Sequence, residues 1–316
     1  MFVSLRRQCP SVRLWVLCLT AECHKAITRL GWSDIIPIQL EDFERGDHEL
    51  QQAKTNRSPV EYYFTCSPVL PLYVLKHNPE VALITYVDSD LYFFSSPEPI
   101  FEEMGNHSIA ITPHRYDPEL RSLESFGSYN VGWLSFKRDE EGMACLAWWR
   151  DRCIEWCYDY LEESRYADQK YLNQFPQRFK NLKVIEHKGA NLAAWNLRNY
   201  RLHDKNGQLC VDNQNVLFYH FQGLKRAAPG VIDPNVRPYR LRVSWFMERN
   251  LYRPYLKKLR EAQRLVAPFI ETPGVLAALR RETVLPTGYA SRLRHAGRTL
   301  AAYYRVLARQ FLLQIV

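Results

Sequence analysis

The chain has 316 residues, 47% of them hydrophobic, and a net charge of +8. That size and composition fit one large folded domain with an appendage, or two domains, and exclude a low-complexity or disordered chain. The charge is uneven: from Asn235 onward sixteen Lys and Arg face four acids, so this tail carries +12 and the rest of the chain −4. The opening MFVSLRRQCPSVRLWVLCLT lacks a signal-peptide pattern, and no apolar run of about 18 residues offers a membrane span. The eight cysteines form no C-x-x-C pair, and most sit in apolar runs, so reduced core thiols in a cytoplasmic protein are expected. Cys153 and Cys157 lie one helical turn apart, but no nearby His or Cys completes a metal set, and packing is the expectation there.

Taken in chain order, residues 14–20 (LWVLCLT) read as a buried strand. Residues 21–30 read as a helix ending at Gly31, and 35–40 (IIPIQL) as a strand whose Pro37 suggests an edge or a bulge. Residues 58–77 have helical spacing on either side of Pro68 and Pro71. Strands are predicted at 82–87, 108–112 and 131–136. Asp139 can cap the next helix, with Met143, Leu146, Trp149, Ile154, Cys157 and Leu161 as its buried stripe. Late short strands follow at 181–186 and 216–220. Strands alternating with helices indicate an α/β layer architecture. Residues 228–238 (APGVIDPNVRP) mark a boundary, giving a body at 1–230 and a basic helical extension at 231–316. Within that extension, Leu300, Tyr304, Leu307, Phe311 and Ile315 share one helical face and Arg298, Arg305 and Arg309 another. This face suits either packing on the body or an anionic membrane; its aromatics are spaced as core, which argues against nucleic acid.

The chemistry begins at residues 82–97, ALITYVDSDLYFFSSP. Asp88 and Asp90 follow an apolar strand with one residue between them, so extended backbone points both to the same side. Buried like charges raise each other's pKa and need a partner, which a divalent cation supplies. Oxygen ligands without sulfur suit magnesium or manganese. The other reading is a turn in which one acid caps the next segment. Four further stretches bear on the choice: GSYNVGWLSF at 127–136, YADQKYLN at 166–173, GANLAAWN at 189–196 and YHFQGLK at 219–225.

With these motifs, residues 2–226 resemble the GT-A nucleotide-sugar glycosyltransferases, and most of all glycosyltransferase family 8 and its bacterial relatives. The strongest parts are VDSD after its strand and the late H-x-x-G-x-K of His220, Gly223 and Lys225. The resemblance implies a Rossmann-like sandwich with a mainly parallel central sheet. It also implies transfer of a sugar, from UDP by default, to a glycan or lipid-linked acceptor with retention at the anomeric carbon. Asp88, Asp90 and His220 would ligate Mn2+ or Mg2+, and Gly223 would let backbone approach the diphosphate. Lys225 would donate to the leaving phosphate. Asp168 and Gln169 match the family's DQ pair near the donor sugar, with Asp168 equally able to cap a helix. Asn130 and Gly132 match an acceptor-side segment, and Asn191, Trp195 and Asn196 a sugar-facing loop. Arg115, in the stretch PHRY, is a further candidate for phosphate contact.

One departure stands out. Family members open with a strand and then a helix ending in S-L-R, and this chain opens at MFVSLRRQCP. The first strand, central between those at Leu14 and Ala82, is expected to be missing through a start downstream of the true one, which puts catalysis in question. Two alternatives remain at this stage. One is a phosphohydrolase of the haloacid dehalogenase type, although Tyr92 stands where that pattern wants Thr or Val. The other is a GT-A binding module that has lost turnover.

Overall fold

The computed structural model describes residues 1–228, 230–271 and 312–313. A short helix, α1 (Phe2–Gln8), precedes strand β1 (Leu14–Cys18). Helix α2 (Ala21–Leu30) is capped by Thr20, whose side chain accepts from the Cys23 amide, and ends at Gly31 with φ 65°. Among the described residues, strand β2 (Ile35–Gln39) pairs only with β1, in parallel, and this edge position is what lets Pro37 sit inside it. Helices α3 (Leu40–Glu44) and α4 (His48–Thr55) follow.

Helix α5 (Pro59–His77) starts in a reciprocal cap between Ser58 and Glu61. It runs unbroken through Pro68 and Pro71, where the sequence suggested helix on either side. Each proline frees the carbonyl four residues back. Burial of Tyr62, Cys66, Val69, Val74 and Leu75 in the main core holds the helix against that loss.

The main sheet orders as β3 (Leu83–Val87), β6 (Tyr129–Lys137), β5 (Ile109–Pro113) and β7 (Leu182–Val184). The expectation of a mainly parallel sheet is corrected here. Strand β6 runs antiparallel to both β3 and β5, and only β5 and β7 are parallel. The chain returns from β5 to β6 through a 3-10 segment, Pro118–Phe126, with no crossover helix to reverse it. Every residue of β6 from Asn130 to Phe136 is buried, so both faces of this strand are covered. Helix α7 (Glu140–Glu155), capped by Asp139, packs on α5 over this sheet. It ends six residues before Leu161, which is 43% exposed and not part of its buried stripe.

A second sheet joins β4 (Leu91–Phe93), β12 (Phe218–His220) and β8 (Leu192–Ala193), with β12 antiparallel to β4 and parallel to β8. Between these fall α6 (Glu98–Met104), α8 (Phe175–Arg178) and a meander of β9 (Leu202–Lys205), β10 (Gln208–Val211) and β11 (Gln214–Asn215). The hairpin of β13 (Lys225–Ala228) and β14 (Val231–Asp233) spans residue 230. One apolar cluster continues from Leu192 to Leu256 across that position. Beyond it come α9 (Trp245–Met247), a widened π turn (Glu248–Tyr252) and α10 (Arg253–Val266). The helix expected at 297–316, with its Arg298, Arg305 and Arg309, lies outside the described residues, except that Leu312–Leu313 are extended and pair with β14 as β15. No helix among the described residues is long and apolar enough to cross a membrane.

Among the described residues, β1 pairs only with β2 and β3 only with β6. A cavity of about 240 Å³, lined by Leu14, Trp15 and all of β3, separates the two.

Trp149 of α7 anchors the core. It is fully buried, stacks on Phe136, meets Phe175 edge-on, and its Nε1 donates to the Asp168 carbonyl at 2.9 Å. Trp149→Ala should lower unfolding free energy by about 3–5 kcal/mol in urea titration, the range for emptying a large aromatic site. A loss under about 1 kcal/mol would mean that this core collapses onto the gap.

Candidate metal centre and cavity

Asp88 follows the last residue of β3, and Asp90 precedes the first of β4. His220 ends β12, which pairs antiparallel with β4 so that His220 faces Leu91 across the ladder. The Phe221 amide donates to the Asp90 carbonyl at 3.1 Å and fixes that register. The strand pairing therefore brings together residues far apart in sequence. His220 Nε2 lies 3.0 Å from Asp90 Oδ1 and 3.5 Å from Asp88 Oδ2. One ligand atom from each of the three residues lies within 4.8 Å of the others, a set that can hold a metal ion.

The far side of the imidazole is held as well. His220 Nδ1 meets Asn130 Oδ1 at 3.2 Å, and the Gly132 amide donates to the same oxygen at 3.0 Å. With its oxygen accepting, Asn130 turns its Nδ2 to His114 Nε2 at 3.2 Å and to Gln169 Oε1 at 3.3 Å. The consistent assignment leaves Nε2 of His220 facing the acids, as a metal-binding imidazole held by an outer partner requires. Gly132 is needed for this contact: a Cβ there would stand 2.6 Å from Asn130 Oδ1 and 2.9 Å from His220 Nδ1.

The titration follows from the geometry. Burial alone pushes the His220 pKa down, but the charges and the hydrogen bond of Asp90, then Asp88, raise it overall. Burial pushes Asp90 up, but the His220 charge and hydrogen bond hold it below the usual carboxylate range. Asp88 is raised, mainly by burial. His114 is pushed down to about 3 by burial and by the His220 charge, so it stays neutral.

The three residues open into a cavity of about 670 Å³. Of the candidates read from sequence, Asp88, Asp90, Asn130, Asp168, Gln169, Trp195, His220 and Gly223 all line it. Asn191 and Lys225 do not. Asn191 is fully buried with φ 54° and donates to the Pro113 carbonyl, while Lys225 is exposed on β13. Arg115 also stands elsewhere, its guanidinium donating to the carbonyls of His187, Lys188 and Ala190. Gly223, at φ 71°, accommodates Asn235, whose Nδ2 would meet a Cβ at 2.3 Å. Asn196 is buried and donates to the carbonyls of His114 and Asn191, which holds the 189–196 loop in shape.

Sequence reasoning passed over Tyr86 and Ser67. Tyr86 donates to Asp88 Oδ1 at 3.1 Å and accepts from Ser67 Oγ at 3.3 Å. Tyr86 stands two residues before Asp88, so strand alternation alone would have placed both on one side. Ser67 carried no such signal, because it lies mid-helix, immediately before Pro68.

No protein-family model matches the chain. It is 33% identical over 226 residues to YfnD, an uncharacterized protein of Bacillus subtilis (strain 168), covering 71% of this chain and 72% of that one. It is 31% identical over 235 residues to YfnF of the same organism, likewise uncharacterized, covering 71% and 76%. Among solved structures, one is a glycosyltransferase involved in glycosylation of the major capsid of PBCV-1, at 13% identity and TM-score 0.41, covering 68% of this chain and 95% of that one. Another is mouse xyloside xylosyltransferase 1 in its apo form, at 14% identity and TM-score 0.39, covering 67% and 84%. Both scores are low, so the functional reading rests on the chain's own side chains.

Asp168 is 5% exposed, and burial, with the Asp88 charge adding to it, pushes its pKa up to about 7. An unfolded Asp loses its proton near pH 4, so between about pH 4 and pH 7 only the folded form keeps it, and stability falls as pH rises. Asp168→Asn should remove that slope, leaving the variant a few kcal/mol less sensitive to pH in urea titrations across the window. Parallel profiles for the two proteins would show that Asp168 titrates normally.

Proposed function

The chain belongs to the family of the Bacillus subtilis proteins YfnD and YfnF, and we propose that it is a metal-dependent glycosyltransferase. In this reading it moves a sugar from a nucleotide-diphosphate donor, UDP by preference, to a glycan or lipid-linked acceptor, working in the cytoplasm at the inner membrane surface. The observation that carries it is the contact of His220 with both Asp88 and Asp90 at the edge of a ligand-sized cavity.

Two carboxylates and an imidazole with no sulfur suit manganese or magnesium. When bound, the ion would neutralise charge on the departing diphosphate. The remaining roles belong to the chain itself. Asn130 positions His220 through Nδ1. Asp168, protonated up to about pH 7, can donate a hydrogen bond to a sugar hydroxyl, with Gln169 beside it on the cavity wall. Trp195, edge-on to His220 with ring centroids 5.3 Å apart, offers its face to a sugar ring. Gly223 lines the cavity, and Lys225, two residues on, is assigned to the leaving phosphate. Asn191 is assigned to holding the loop that carries Trp195.

Retention is the outcome the family resemblance implies, and the acids on the cavity wall bear on its route. Besides the Asp88–Asp90 pair, Asp168 is the one carboxyl among the described residues that line the cavity, and a protonated carboxyl is a poor nucleophile. We assign a front-face displacement in which the leaving phosphate takes the acceptor proton; inverted product configuration by NMR would exclude it. The phosphohydrolase alternative is not favoured, because it needs a free nucleophilic carboxylate where Asp88 already accepts from Tyr86 and faces His220.

Manganese should raise the melting temperature of the full chain, and one UDP-sugar should raise it further only with the metal present. Asp90→Asn and His220→Ala should abolish the metal shift. Binding of the ion displaces a proton from His220, so affinity should weaken as pH falls through its raised pKa. A metal shift that survives both substitutions would place the ion elsewhere and end this reading.

A further inference from the structure

A groove of about 700 Å³ runs between α1, β4, the β9–β10 hairpin and the π turn leading into α10. It shares no lining residue with the cavity of the metal centre. Among the described residues four cations line it, Arg6, Arg7, Arg249 and Lys258, against one acid, Asp204. They come from the two ends of the described chain, so the fold, not a run in sequence, concentrates this charge. Two are partly engaged: Arg6 meets Asp34 at 3.3 Å and Lys258 meets Glu261 at 2.6 Å.

The groove has an aromatic neighbour. Arg249 lies over the Trp245 ring, 5.2 Å from its centroid. Trp245 is 56% exposed, a large apolar side chain left in water beside a cation. Continuing from it, Arg253 and Lys257 recur at intervals of four residues and are also exposed. Indole rings settle at the headgroup level of a bilayer, and clustered Arg and Lys attract the anionic leaflet around them. Helix α10 adds an exposed Leu265, 46% accessible, farther along the same element.

We infer that this face docks on an anionic bilayer, with Trp245 seated among the headgroups and Arg7, Arg249 and Lys258 taking lipid phosphates in the groove. Charge complementarity selects the partner: a face of this sign gains little from a neutral membrane. The inference goes beyond the glycosyl-transfer reading and does not depend on it. If both hold, the transferase meets a lipid-linked acceptor where that acceptor resides.

Co-sedimentation of the full chain with vesicles tests it. The chain should bind vesicles of phosphatidylcholine mixed with phosphatidylglycerol, should not bind phosphatidylcholine alone, and should release in high salt. Arg249→Gln with Lys258→Gln should cut binding by an order of magnitude or more, since each basic residue near an anionic surface is worth about fivefold. Trp245→Ala should weaken binding at low salt without altering the melting temperature. Because Trp245 is exposed, that variant decides the matter even if the double substitution impairs folding. Equal binding to neutral vesicles, no effect of Trp245→Ala, or tighter binding to a single-stranded oligonucleotide than to the mixed vesicles would each overturn the proposal.

Discussion

The site depends on one contact, the imidazole of His220 against the carboxylates of Asp88 and Asp90. Nothing local brings these groups together. The antiparallel ladder of β4 and β12 does, with Phe218 opposite Phe93 and His220 opposite Leu91. A slip of one residue would turn His220 to the opposite face and leave two acids crowded with no cation. The ladder is secured where it is most apolar. Phe93, Phe218 and Trp133 pack within 6.1 Å of one another beneath it, so the register that makes the ion site also buries three aromatic rings. Stability and chemistry are thus specified by the same pairing.

The second layer of constraint is the amide of Asn130. It accepts from Gly132 and His220 with its oxygen and offers its nitrogen to His114 and Gln169. An unpaired buried group costs on the order of 1–3 kcal/mol, so each of these bonds constrains the amide. His114 is held neutral by burial and by the His220 charge. A charged His114 would have no acceptor to spare for Asn130 and would face the His220 cation across a dry interior. Asn130 therefore sets the imidazole's orientation from the cavity wall.

The acids were legible because strand alternation and like-charge spacing are local signals, and His220 because its motif stood at the end of an apolar run. The cap at Asp139 was legible for the same reason. What the sequence hid was set by long-range pairing. The antiparallel course of β6 depends on how residues 114–128 return, and no periodicity encodes that. The unbroken α5 ran against local rules, since burial overrode two prolines. Arg115 looked like a phosphate ligand by type and position, yet three carbonyls of the 187–190 loop claim its guanidinium. A residue's chemistry is readable from sequence; which partner takes it first is not.

The division between the two strand groups bears on how far the candidate metal centre, the Asp–Asp–His cluster, can act alone. Its ligands hang from β3, β4 and β12, and its outer support from β6. Strands β1 and β2 contribute none of it, and the cavity between β1 and β3 separates them from it. They are tied to the body through the main core, where Ile38 joins Val69 and Ile84 and where Trp15 and Leu17 pack, and through α1, where Arg6 pairs with Asp34 and lies 4.6 Å from the Trp32 ring centroid. An ion site built this way needs no contact from β1 to hold its geometry. Any ligand group that reached into the β1–β3 cavity would find walls of Leu14, Trp15, Ile84 and Val87, so recognition there would be apolar. Charge is then handled at one place, the Asp–Asp–His cluster, and shape at another, which lets the two be altered separately.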